Sequence, residues 1–243
     1  MTQRRKLGRR PSRFDARTVK FADLFVDKLP DFPMAMNKRD NAVPDRVSDY
    51  GNNDVGDCTI ASIAHLEEVW TENGRLGRLL TTEEVLAFYS LVTGYVPGDD
   101  TTDNGADMLT VLKRWRKDGV GGKKIVAFVQ IDHNNVEHVK SAINLLGGVY
   151  VGAELRTSAQ QPGPWIGRDV RGDVWGGHCM SASRYDRSGG VFRTWGDLQP
   201  FDWDWWLRSV DECYGVISVS WFRGERTPNG LDMLKLRSYL LSL

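Results

Sequence analysis

Cys58 is the residue whose setting most suggests reactivity. It sits where a helix should begin, in "GNNDVGDCTIASIAHLEEVW" (51–70), behind a turn rich in Gly and Asn. The N-terminus of a helix favours an anion, so a thiol there gives up its proton more readily than one in an apolar stripe. A thiolate nucleophile still needs a base. Four histidines are available. His65 shares the helix face of Cys58, but seven residues of helix separate them by ~10 Å along the axis, too far for a hydrogen bond. It reads as a partly buried structural histidine. His133 and His138 flank an expected helix start and read as solvent-facing. His178 follows "WGG" and opens the strand-like "HCMSASRYD". A ring there is held rigidly and can face a cleft, the plainer alternative being a strand-end histidine bonded locally. Cys179 and Cys213 read as reduced structural thiols.

The elements that must position these residues change character along the chain. Ile60, Ile63, Ala64, Leu66, Val69 and Trp70 are spaced for a helix, with Asp57 as its expected N-cap. "TTEEVLAFYSLVTGY" predicts a second helix with a capping box, and "GADMLTVLKRWRKDGV" a third closed by Gly119. After "GVGG" the pattern turns to strands. "KKIVAFVQI", "VYVGAEL", "HCMSASRYD", "GGVFRTWG" and "ECYGVISVSW" are β-branched or aromatic, and "NVEHVKSAINLLGG" supplies one helix among them. Helices followed by strands predict an α+β body of two lobes, 46–120 helical and 121–243 strand-rich. The loop 156–177 is long enough to suspect a functional role. Phe201, Trp203, Trp205 and Trp206 read as packing against the strands, with a sugar-stacking platform as the lesser alternative.

Residues 1–45 carry four prolines and little periodicity, and read as an extended arm lying over the body. The chain's 243 residues balance 32 Lys and Arg against 32 Asp and Glu, unevenly. The first 20 residues hold eight basic groups and one acid, leaving 24 against 31, a net of −7, in the remainder. The bland reading is a solubilising tail. The sharper one is a tie to an acidic protein or a nucleic-acid surface, without base-specific recognition. No run of 18 apolar residues and no apolar export signal occur, so the expectation is a cytoplasmic or virion-associated protein with no membrane contact. Three cysteines without a CxxC pair predict neither a disulfide framework nor a zinc site.

Four segments in order resemble the papain-like cysteine peptidases, particularly their compact bacterial and phage forms. "NNDVGDC" with its helix resembles the oxyanion and nucleophile segment, and "TDNGADMLTVLKRWRKDGV" the glycine segment that lines the substrate groove. "GGHCMSASRYD" resembles the histidine strand, and "VFRTWG" the strand carrying the third residue and its shielding Trp. The resemblance covers about 46–220, with Cys58 and His178 120 residues apart. It implies a papain-like two-lobed fold with the active-site cleft between lobes, no cofactor and no metal. Cys58 would be the nucleophile and His178 the general base. Asn52, or Asn53 one step nearer, would complete the oxyanion hole where the family has Gln. Trp195 would shield the histidine, and Asn104, Gly105, Gly176 and Gly177 would line the groove. The substrate would be a peptide or protein, cut at a peptide or isopeptide bond.

The chain departs from the family at the third residue. The pattern Asn, any residue, Trp, Gly is here Arg193, Thr194, Trp195, Gly196. Arginine has only donors and cannot accept the imidazole N–H. Thr194 can accept, but the pleat turns it to the other face unless the strand bulges. Asp197 has the right parity and lies beyond the expected strand end. The alternatives are a Cys–His dyad, a triad using Asp197, or an inactive papain fold serving as a structural or interaction protein, such as a virion component anchored by its basic arm. An NlpC-type amidase ranks lower, because it spaces Cys and His more closely.

Overall fold

Cys58–Gly74 form α1, a helix buried over nearly its whole circumference. The sequence gives it one apolar face, yet Glu67 and Glu68 are buried as well. The reason is position: α1 lies between the sheet and two further helices, leaving no solvent side. Its acids are therefore partnered. Lys123 Nζ lies 2.9 Å from Glu67, while Tyr50 and Arg193 hold Glu68. The computed structural model describes residues 5–24, 29–37, 48–74, 77–222, 226–228 and 232. The arm's expected end near residue 45 lies outside them.

The expected N-cap at Asp57 is not made by its side chain. The Asp57 carbonyl accepts from Ile60 and Ala61 N–H (2.7 and 3.0 Å), but both carboxyl oxygens are buried without a hydrogen-bond partner. Burial raises this carboxyl's pKa well above its usual range. The other helix starts follow the sequence. Thr81 and Glu84 close a capping box on α2 (Thr82–Thr93), and Asp107 caps α3 (Met108–Lys117). Trp70 of α1 stacks on Trp115 of α3, centroids 6.0 Å apart.

The strands are β1 (Ile125–Gln130), β2 (Val149–Arg156), β3 (Val174–Tyr185), β4 (Gly189–Thr194), β5 (Asp197–Asp202) and β6 (Val210–Ser218). They form one antiparallel sheet in the order β1-β6-β2-β3-β4-β5. Helix α4 (Val136–Leu146), stopped by left-handed Gly147, packs on β6, β2 and β3. The helices α1–α3 followed by the sheet make the α+β arrangement that the sequence predicts.

One strand boundary differs from expectation. β3 starts at Val174 rather than His178, because β2 extends to Arg156 and pairs with "VWGG". The aromatic run that alternates like a strand becomes α5 (Trp203–Ser209) after β5, because the Asp202 carboxylate caps it by accepting Trp205 N–H at 2.7 Å. Trp205 stacks on Trp165 at 4.7 Å and Trp206 packs on Phe201 and Phe192, so this run is core. The long loop folds over it and lines an open cavity of about 670 Å³. Among the described residues no helix is long and apolar enough to cross a membrane.

Candidate functional site

Cys58 opens α1 and His178 lies in β3, the strand against which α1 packs. α1 presents the thiol, and β3, held in register by Ala153↔His178 and Gly152↔Cys179, presents the ring. Both residues are fully buried. The backbone N–H groups of Cys179 and Gly8 point at the Cys58 sulfur.

His178 is fixed from two directions. Its Nε2 lies 2.5 Å from Thr194 Oγ1, and its ring stacks on Trp195 at 3.9 Å and 11°. Its Nδ1 has no hydrogen-bond partner. Thr194, not Arg193, is therefore the residue that meets the ring. Arg193 turns the other way and is buried against Glu68 of α1. The expectation that the pleat turns Thr194 to the other face fails here, because β4 ends at Thr194 in a two-residue turn. Trp195 (φ 50°) and Gly196 (φ 75°) both adopt left-handed backbone, while Thr194 pairs with Asp197. Such a turn lets the strand double back at once and lays the indole over the histidine. Asp197 is exposed, and its carboxylate accepts Leu198 N–H.

The two asparagines part company. Asn52 is buried, its Nδ2 donating to Val55 O at 3.0 Å and lying 3.5 Å from Lys6 O. Asn53 is half-buried, with its amide on Asp49 at 2.6 Å.

The cleft is filled by the chain's own residues 5–10. Lys6 O accepts from Trp195 Nε1 at 2.9 Å. Gly8 O accepts Ala106 N–H and Arg10 N–H donates to Ala106 O, both at 2.9 Å, in a parallel bridge. Across the cleft, Arg9 N–H donates to Gly177 O at 3.1 Å. Arg10 Nε reaches Asn104 O at 3.1 Å. The fit depends on missing side chains: a Cβ on Gly8 would lie 1.7 Å from Gly56 O, and one on Gly105 2.0 Å from Gly8 O. Asp103 anchors the entry, taking Lys6 Nζ at 2.6 Å, Tyr89 OH at 2.6 Å and Gly56 N–H. The sequence does not single out Asp103, although it stands inside the segment "TDNGADMLTVLKRWRKDGV", and it presents Thr194 only as an acceptor facing away.

The arm's charge and bulk set the electrostatics. Burial, followed by the charge of Asp57, pushes the Cys58 thiol up to about 12, although two N–H groups and Arg9 oppose the rise. Burial, then the charges of Arg9, His65 and Arg5, holds His178 well below the usual histidine range. Arg5 lies over the Trp195 ring at 5.1 Å. With the arm in place, the pair is a neutral thiol and a neutral imidazole. His65 is the buried structural histidine expected, its Nε2 on Ser48 O at 2.8 Å. His133 and His138 are half-buried, and Phe21 of the arm packs on the His138 ring. All three cysteines are unpaired and buried. Among the described residues no group of three or more His, Cys, Asp and Glu could hold a metal ion.

This architecture is that of the papain-like cysteine proteases. The chain is similar to xylellain, a cysteine protease from Xylella fastidiosa, at a TM-score of 0.67 and 13% identity, over 90% of this chain and 98% of that one. It is similar to procathepsin B S9 from Trypanosoma congolense (TM-score 0.58, 11% identity, 89% and 88% covered). It also resembles the Carica candamarcensis cysteine protease CMS1MS2 (0.53, 14%, 77% and 99%). No protein-family model matches the sequence, and no curated protein matches it.

Proposed function

We propose that the chain is a papain-like cysteine peptidase that hydrolyses peptide or isopeptide bonds and is held latent by its own N-terminal arm. The observation that carries this reading is the arm itself. An extended peptide already lies beside the thiol, held by main-chain hydrogen bonds to Ala106 on one wall and Gly177 on the other.

In the active state the arm is out and the cleft is hydrated. His178 Nδ1 takes the Cys58 proton, and the thiolate attacks the substrate carbonyl carbon. The oxyanion meets Cys58 N–H, a donor of the helix's first turn, and Asn52 Nδ2, freed from Lys6. The imidazolium then protonates the leaving amine, and the C–N bond breaks to give a thioester. Water, deprotonated by His178, attacks the thioester, releasing the acid and restoring the thiol. Thr194 keeps the imidazole oriented by accepting Nε2–H, and Trp195 screens that bond from water.

The second reading, an inactive papain fold used for binding, draws on the neutral state of Cys58 and His178. An acidic protein or nucleic-acid surface would then compete with Asp103, Asp107, Asp211 and Glu212 for the arm's cations. One experiment separates the two. Gly8→Val cannot seat against Gly56, so it unseats the arm in the full chain. Iodoacetamide labelling of Cys58 in that variant, with Cys179 and Cys213 replaced by Ser, should stay fast well below pH 7 and slow on adding His178→Ala. An ordinary thiol profile, near pKa ~8.5 and indifferent to His178, would overturn the peptidase reading.

A further inference from the structure

Arg9 has a buried side chain in an arm whose other cations lie at the surface or half-buried, among the described residues. Its guanidinium enters a pocket beside the thiol and is only 3% exposed. Nη2 lies 2.6 Å from Asp211 Oδ2 and Nη1 3.2 Å from Glu212 Oε2, while Nε is buried without a partner. Glu212 is 2% exposed and is steadied by Tyr214 OH at 2.8 Å, whereas Asp211 sits half-exposed at the rim.

The pocket is shaped for a long side chain entering from the cleft. Gly152 of β2 makes the room: a Cβ there would lie 2.9 Å from Arg9 Cδ and 2.7 Å from Met108 Sδ. Gly152 pairs with both Cys179 and Glu212, so one row of the sheet links the pocket to the strand of His178.

We propose that this pocket selects an arginine side chain of the substrate, Arg9 being its internal stand-in. This rests on the reading of the cleft as a peptide groove. A buried carboxylate stripped of its cation is costly, so a neutral or acidic replacement for Arg9 leaves Glu212 uncompensated. Two carboxylates, each meeting a separate guanidinium nitrogen, match the planar fork of arginine better than the single ammonium of lysine. Arginine in the substrate thereby replaces the contact that the departing arm gives up.

The test reads binding and needs no turnover. In the full-length Arg9→Ala chain, ethylguanidinium should raise the melting temperature saturably. Ethylammonium should do so less, and the neutral ethylurea not at all. Adding Glu212→Gln should weaken the ethylguanidinium response by about tenfold or more, the expected loss for a charge-assisted pair. Equal responses to ethylguanidinium and ethylurea, or no response to either, would overturn the proposal. Should Arg9→Ala not fold, Gly8→Val carries the same question: N-acetyl-arginine amide should protect Cys58 from iodoacetamide where N-acetyl-citrulline amide does not. Equal protection, or none, again overturns it. A Cys58 without His-dependent thiolate character defeats the peptidase reading and leaves these binding results standing.

Discussion

Thr194 Oγ1 meets His178 Nε2 at 2.5 Å, one residue after Arg193, which stands at the asparagine position of the resembled pattern. A hydroxyl can accept the ring N–H as an amide oxygen does, and here it comes from the residue directly before the shielding Trp195. If Nε2 is the donor, the neutral ring keeps an Nδ1 lone pair free to accept a proton.

Thr194→Val keeps the shape and removes the acceptor. In the Gly8→Val background, peptide hydrolysis should fall by about 10–100-fold, a small share of what positioned acid–base catalysis contributes. Thr194→Ser should retain most of it. Melting temperatures of the two variants should differ little, since one hydrogen bond contributes about 1 kcal/mol. Equal activity of Val and Ser would deny Thr194 an orienting role.

Cys58 labelling in the intact chain should be slow at neutral pH. A thiol pushed up to about 12 gains appreciable thiolate only as pH approaches that value. The full chain should therefore react slowly from pH 5 to 9, and Gly8→Val should react at least about tenfold faster at pH 7, as expected if the thiol returns toward its ordinary pKa. Mass spectrometry of the alkylated Cys58 peptide measures both rates.

Arg193 and Glu68 predict a stability effect independent of activity. Their side chains are 1% and 3% exposed, so Arg193→Ala leaves a buried carboxylate uncompensated. The cost should be about 3–5 kcal/mol by denaturant unfolding. Arg193→Met combined with Glu68→Gln should recover part of it. A loss below about 1 kcal/mol, the range of exposed pairs, would mean the pair is hydrated in solution.

Acid should destabilise the fold through its buried histidines. His65 and His178 are both held below the ordinary value in the folded chain. The unfolded chain therefore binds more protons below pH ~6.5, and stability is full above that pH and lost as pH falls toward the folded-state values. Asp57 acts with the opposite sign. Its folded-state pKa is raised, so its contribution falls as pH climbs above the ordinary carboxylate value. Asp57→Asn should melt higher than the parent at pH 8, with the gap narrowing toward pH 4. A gap independent of pH would show that Asp57 is ionised.

The sequence alone carried most of the elements and pointed to Cys58 and His178 as the candidate chemical pair. Helix periodicity located α1 to α3, a capping box marked the start of α2, and the turn before Cys58 marked a helix start where a thiol is exceptional. His178 emerged by eliminating His65, His133 and His138, and order along the chain supplied the resemblance. These signals are local, fixed by backbone geometry within a few residues. What only the tertiary structure decided depends on contacts distant in the chain. Arg193 faces Glu68 and Thr194 faces His178 because a left-handed two-residue turn and a helix 125 positions away set which side of β4 each can use. The course of the arm is likewise nonlocal. Nothing in "KLGRR" announces that it threads a cleft, since Gly8 is required by Gly56 and Gly105, and Arg9 by Glu212. The ionisation of the thiol follows from the same cause. A helix N-terminus favours the thiolate, but burial beneath six residues of the chain's own N-terminus outweighs it.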